Sequence, residues 1–400
     1  MQKENIKQKY LGEKGLIFLI VLLTAVIPLS IDIYLPALPS MTEVLKGPKH
    51  LVDYTLIGFF ISFGVSTLIW GPISEKYGRK PILIIGDIIF IIGSFLCSKS
   101  ESTYSIVVYR VCQAIGCGAI FSVAGAMVKD CFDGKKREVV MSLVQSMAMI
   151  APLIAPLIGG IILKFTSWRI IFTLLAVFGL VSLFFIFLFQ ESLEEKHEGN
   201  LMSSLGKLIV VGKNPNFSIL MIIFLISQIA NMGYVSASSY IYQDFFKLNP
   251  QVYSYFFAGN AIFAILGPLL VIKLTNIFNY EKIVKFSLTA SIISGFLVFI
   301  LGKVSPIIFL LTVTIFTFFN GMIRPLGTNL MFMQQKNDAG SASSLMNFVG
   351  TILGSLGMVI VSINKDFQIK MIGICIFALS FISLILWYFI HNKIIIEKHE

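Results

Sequence analysis

Residues 51–98 read LVDYTLIGFFISFGVSTLIWGPISEKYGRKPILIIGDIIFIIGSFLCS, two apolar runs (51–74 and 81–98) parted by a short stretch in which glycines flank an acid and three cations. At about 1.5 Å of rise per residue, each run as a helix covers the roughly 30 Å of a bilayer's hydrocarbon core. The alternation of apolar run and polar gap continues in both directions. Further runs fall at 15–37, 104–128, 139–163 and 169–190 and, after a longer polar stretch, at 217–241, 251–275, 283–302, 305–333, 340–363 and 368–391. Composition agrees: 56% of the 400 residues are hydrophobic and 13% are charged, too few charges to cover a water-soluble surface of this size. Abundant aromatic residues, 36 Phe and 13 Tyr, likewise exclude a disordered chain. The expected fold class is an all-α membrane protein with twelve transmembrane helices.

The net charge of +10 forms no basic stripe of the kind a nucleic-acid-binding face needs, so no nucleic-acid partner is expected. Lys and Arg gather in the gaps between runs. With the N-terminus placed in the cytoplasm and residues near a run's end counted with the adjoining side, 20 of the 31 Lys and Arg fall on the inner side and nine on the outer, while Arg110 and Arg324 lie deeper inside runs. Both termini are therefore expected to be cytoplasmic. Trp70, Trp168 and Trp387 fall near predicted helix ends, as an interfacial aromatic belt requires. The first run is too long for a signal-peptide core and lacks a small-residue cleavage site, so it is read as a retained helix. The five cysteines show no metal-like spacing and read as reduced packing residues. No metal and no cofactor is expected.

Residues 191–214, beginning ESLEEKHEGN, are the longest charged interruption and divide the runs six and six. The expected organisation is an N-terminal six-helix half (1–190), a cytoplasmic linker (191–214) and a C-terminal six-helix half (215–400). The linker's second part, LMSSLGKLIVVGK, fits either an amphipathic surface helix or a flexible connector. A faint repeat relates the halves: a shift of 207 sets Gln113 and Ala114 on Asn320 and Gly321, and a shift of 202 sets Ser142, Leu143 and Gln145 on Ser344, Leu345 and Asn347. Two parallel six-helix repeats with a substrate site between them near mid-membrane make a common transporter plan.

Several polar groups stand where lipid would not tolerate them. Asp32 is the only acid of the first run, and Pro28, Pro36 and Pro39 interrupt that run's backbone bonding. Arg110 and Gln113, three apart, share one face of the fourth run. Asp32 and Arg110 lie at similar depth; burial favours the protonated acid and a nearby cation the ionised one, so a conformational change that alters their separation would load or release a proton. The alternatives are a carboxylate at the outer surface and an arginine snorkelling to the outer headgroups. Tyr34, Gln113, Gln228, Asn231, Tyr234, Asn260, Asn320 and Asn347 are expected to line the cavity. Arg324, next to Pro325, belongs either to that cavity, where it would favour an anionic substrate, or to the inner interface. The charges of the 71–81 stretch can pair or cap helix ends and so lock one conformation, or simply mark the inner side. Asp87 reads as a partner of that stretch rather than as a second proton site. Pro152, Pro156, Gly159 and Gly160 would let the fifth helix bend and pack closely, as a gate or as a plain helix interface.

GPISEKYGRKP at 71–81 resembles the G-x-x-x-D-R-x-G-R-K loop of the major facilitator superfamily, with Gly71, Gly78, Arg79 and Lys80 matching and Glu75-Lys76 in place of Asp-Arg. RVCQA at 110–114 resembles that family's R-x-x-Q-G pattern, with Ala114 for the glycine. DIYLPALP from Asp32, AMVKDCFDG, APLIAPLIGG, SWRIIF, QESL and AGSASSL narrow the likeness to the bicyclomycin and chloramphenicol-type drug exporters (Bcr/CflA). The resemblance implies a fold of two six-helix halves in a bacterial inner membrane and proton-driven antiport of small organic molecules. It further implies a protonation site at Asp32, proton coupling through Arg110 and an exporter-type fifth helix. The second acid that assists in some relatives is absent here, its stretch holding Thr24.

The expectation is a monomeric twelve-helix exporter whose partners are the bilayer, protons and a small organic substrate. An exporter of an endogenous metabolite such as a carboxylate siderophore is the nearest alternative, motivated by Arg324. A membrane-embedded enzyme or a receptor is the remote one. No Walker A loop, HExxH or triad-like cluster is present, so no enzymatic activity is expected.

Overall fold

Packing of apolar helices organises a computed structural model in which residues 8–193, 201–335 and 339–391 are described. The chain divides into two compact units, Met1–Ser204 and Leu205–Glu400. Twelve of its helical segments are long and apolar enough to cross a membrane, which makes the protein a multi-pass, all-α membrane protein.

In the first unit α1 (Gly12–Asp32) is followed by a 3-10 turn (Leu35–Ala37) and the short α2 (Leu38–Val44). Proline explains the break, because Pro36 has no N–H to donate to the carbonyl of Asp32, nor Pro39 to that of Leu35. The span therefore runs on to Val44, past the expected end at 37. Next come α3 (Tyr54–Tyr77), α4 (Arg79–Lys99), α5 (Thr103–Cys131), α6 (Gly134–Phe165) and α7 (Trp168–Leu188). α4 packs on α5 at glycines: a Cβ on Gly116 would stand 2.5 Å from the carbonyl oxygen of Gly86, and one on Gly93 2.6 Å from the amide of Gln113. Such small faces let backbones approach where lipid supplies no hydrophobic drive. α5 opens with a reciprocal cap between Ser102 and Ser105.

The expected tight loop at 71–81 is almost wholly helical. α3 continues through Tyr77, α4 starts at Arg79, and Gly78 between them takes φ +109°, a conformation natural to glycine.

α8 (Leu201–Gly212) straddles the unit boundary; it is the second part of the expected linker, and residues 194–200 lie outside the described ones. Val211 of α8 is buried in an apolar cluster with Phe217, Phe224, Leu326 and Trp387, whereas Ile209 and Val210 are exposed. The second unit continues with α9 (Pro215–Leu225), α10 (Ser227–Tyr240) ending in a π turn (Ile241–Phe245), α11 (Pro250–Leu274), α12 (Tyr280–Leu301), α13 (Pro306–Met333), α14 (Ala339–Ser362) and α15 (Gln368–Ile390). Asn214, Asn249 and Ser305 cap α9, α11 and α13, each followed by a proline at the first helical position.

The units share a device. A Cβ on Gly159 of α6 would lie 1.9 Å from the carbonyl oxygen of Ile33, at the break after α1; one on Gly357 of α14 would lie 1.8 Å from that of Ile229, just after the break between α9 and α10. The aromatic-belt expectation needs correction for two tryptophans: Trp168 and Trp387 sit near helix ends, but their side chains are buried inside the units.

Candidate transport site

Arg110 of α5 is fully buried and tied to every helix around it. Its guanidinium donates to the carbonyl of Ser30 in α1 (3.1 Å), to that of Thr55 in α3 (3.4 Å) and to Oε1 of Gln113. It also lies 4.4 Å from the ring of Tyr34, 4.2 Å from Phe59 and 5.7 Å from Phe172 of α7. Gln113 passes the chain on, donating to Oγ of Ser94 in α4 (2.7 Å), and the Tyr34 hydroxyl meets Thr55 Oγ1 at 3.2 Å. A buried cation costs several kcal/mol unless its donors are satisfied. Here neutral carbonyls, an amide and aromatic faces do this, one guanidinium nitrogen alone lacking a partner.

One expectation is thereby corrected. Tyr34 and Gln113, both 0% exposed, belong to this packed interior and not to a cavity wall. The Arg110 guanidinium is taken up by the carbonyl of Ser30, two residues before Asp32. Asp32 closes α1 at the break, 7% exposed, with no hydrogen bond or ion pair among the described residues. Beside it Gly159 presses on Ile33. Gly160 and Pro156 of the same helix are buried and Pro152 is partly so, while between 134 and 150 only Val140 is buried.

The junction of α3 and α4 holds a second cluster. Arg79 pairs through Nε with Asp130 of α5 (2.9 Å) and donates to Ser74 Oγ (2.6 Å). Glu191, just past α7, accepts the α4 amides of Arg79 (2.9 Å) and Lys80 (3.0 Å), and those of Ser192 (3.0 Å) and Leu193 (3.1 Å). A carboxylate over these amides satisfies orphan donors and meets the positive end of the helix dipole. Lys80 reaches the carbonyl of Phe187 (2.8 Å). Gly71 and Glu75 take no part: a Cβ on Gly71 would meet nothing within 4 Å, and Glu75 is exposed without a partner among the described residues. Asp87 also needs correction, for it is buried between α4 and α7 and accepts from Ser182 Oγ (2.8 Å), not from the cations of 71–81. Asp130, Glu191, Ser94 and Ser182 were missed as site residues. AMVKDCFDG and QESL contain the first two, so the signal was present without its partner.

In the second unit Gln228 and Asn231 of α10 are half-buried and joined at 3.3 Å. Tyr234 is buried, stacked on Phe257 with centroids 6.3 Å apart. Asn260 is buried between α11 and α13, donating to Thr317 (3.1 Å) and Thr314 (3.3 Å). Tyr234 and Asn260 are interior residues, again not cavity lining. Asn320 is 9% exposed, whereas Asn347 and Arg324 are exposed.

Buried polar knots, broken spans and small-residue helix contacts are the architecture of a helical secondary transporter. The Major Facilitator Superfamily model matches residues 20–358, and the chain belongs to that superfamily; it is a transporter and not an enzyme. Among relatives, it is 26% identical to the MFS-type transporter YdgK of Bacillus subtilis (strain 168), over 89% of this chain and 90% of that one. It is 25% identical to the bicyclomycin resistance protein homolog of Haemophilus influenzae, over 92% and 93%. With the multidrug resistance protein MdtL of Vibrio parahaemolyticus it shares 33% identity over 42% of each chain. These relatives agree with the subfamily that the motifs resemble. A peptide transporter POT structure superposes with a TM-score of 0.74 at 14% identity, covering 96% of each chain, and so shares the fold.

Proposed function

We propose that the protein exports a small organic compound across the bacterial inner membrane in exchange for protons, as a monomer with both termini in the cytoplasm and by alternating access. The drug-resistance names of its relatives support the substrate class. One observation carries the coupling: Asp32 is a nearly buried carboxylate, unpaired by any cation among the described residues, at a break in its own helix. Desolvating an isolated carboxylate is costly unless it is protonated or paired. Movement at the break that admits or expels water would therefore take up or release a proton. Pro152 and Pro156 give α6 its freedom to bend, Gly160 keeps its face small, and Gly159 carries that motion to Ile33. The Arg79–Asp130–Glu191 cluster holds the cytoplasmic ends together in one state.

The test uses inverted membrane vesicles holding a pH gradient, followed by a pH-sensitive dye while bicyclomycin, ethidium or 2-naphthoate is added. The wild-type protein dissipates the gradient with at least one compound, and Asp32→Asn does so with none. An Asp32→Asn protein that matches the wild-type rate overturns the assignment.

A further inference from the structure

The exposed surface of the second unit is divided by chemistry. On α11 the outward residues include Phe263, Leu266 and Leu270, and on α15 Phe377, Phe381 and Ile385. α12 likewise turns Ile293, Phe296 and Phe299 outward, and its exposed Thr289 bonds back to the carbonyl of Lys285. Such arcs suit hydrocarbon.

α13 and α14 differ. Beyond Leu311 the exposed residues of α13 are Arg324, Pro325 and Asn329, and those of α14 up to 351 are Gly340, Ser344 and Asn347. Polar groups in that number would be costly against lipid, so this second arc faces water. Arg324 carries its charge. It lies about 13 Å along the helix from Met333 and about 27 Å from Pro306, and among the described residues its side chain has no hydrogen bond or ion pair. The unit's described acids are engaged or distant. Glu281 pairs with Lys285 (2.5 Å) and meets His391 (3.2 Å), while Asp244 and Asp366 lie in connections at the Pro306 end.

Resting on the reading of the protein as an exporter, we infer that the transported compound bears an anionic group of the carboxylate type, bound by the Arg324 guanidinium. The planar fork matches a carboxylate through two parallel hydrogen bonds.

The experiment measures equilibrium binding of radiolabelled 2-naphthoate, 2-naphthamide and trimethyl(2-naphthylmethyl)ammonium to the full chain in nanodiscs, with empty discs subtracted. Wild-type protein binds naphthoate about tenfold tighter than the amide, the size expected of one charged hydrogen-bonding pair. Arg324→Gln brings the two within about twofold, and Arg324→Lys keeps part of the preference because charge remains without the fork. Equal binding by the wild type, a naphthoate preference that survives Arg324→Gln, or no saturable naphthoate binding overturns the inference. Since binding needs no pH gradient, the two readings fail separately. Naphthoate preference without proton-driven flux sinks the exporter and leaves the ligand class, whereas flux of the ammonium compound alone does the reverse.

Discussion

Arg110 and Arg324 both lie well inside apolar runs, and their surroundings are opposite. Arg110 is sealed among backbone carbonyls, an amide and aromatic rings; Arg324 is exposed and, among the described residues, unpaired. The repeat sharpens the contrast. The shift of 207 that sets Gln113 on Asn320 sets Arg110 on Thr317, and Thr317 accepts from Asn260 in a neutral contact between α11 and α13. One unit is knotted within its spans by a cation and the other by an amide and two hydroxyls. The other intramembrane ionisable groups also differ, the first unit holding a nearly buried carboxyl at a helix break and the second a guanidinium on an open helix face.

The strongest way to break this comparison is to truncate both arginines. Arg110→Ala strands the acceptors on Ser30, Thr55 and Gln113, and is expected to destabilise the first unit by about 3 kcal/mol or more. Arg324→Ala should leave stability within about 0.5 kcal/mol. Thermal unfolding of the purified proteins in one detergent decides it, and equal losses would mean that Arg324 is also structural.

Gly159→Ala and Gly357→Ala ask whether the shared device is equally tight in both units. Each adds a methyl group within 2 Å of a carbonyl oxygen on a neighbouring helix. Backbones must separate, at an expected cost of about 1–3 kcal/mol, read as lower melting temperature together with slower flux. A smaller effect is expected from Glu191→Gln, which keeps one acceptor oxygen for Arg79 but loses the second, which takes the Lys80 amide, together with the negative charge above α4. About 1 kcal/mol should be lost, measurable as faster amide exchange at Lys80. The least is expected of Glu75→Gln, since an exposed and unpaired acid contributes almost nothing: under about 0.5 kcal/mol.

The spans were legible because lipid imposes length and composition on each helix. α13, expected at 305–333, runs Pro306–Met333. Facing was not legible. Tyr34, Gln113, Tyr234 and Asn260 read as cavity residues because a polar group inside a span must turn from lipid, yet a packed interior satisfies that demand as well as water does. Which applies depends on partners such as Ser94, Thr55 and Thr317, and these come from other helices. The 71–81 stretch misled for a local reason: its glycines and charges suggested a loop, but a single Gly78 at positive φ turns the chain and leaves the rest helical. Asp87 was assigned by sequence proximity to cations, whereas its partner Ser182 lies 95 residues away.

Glu191 holds four amides, two at the start of α4 and two just past itself, so the segment that follows α7 is stapled to the start of α4. Whatever tension the connector transmits should stop at that carboxylate. A gene split after Leu193, giving two polypeptides made side by side, should then yield a first fragment whose tail stays docked.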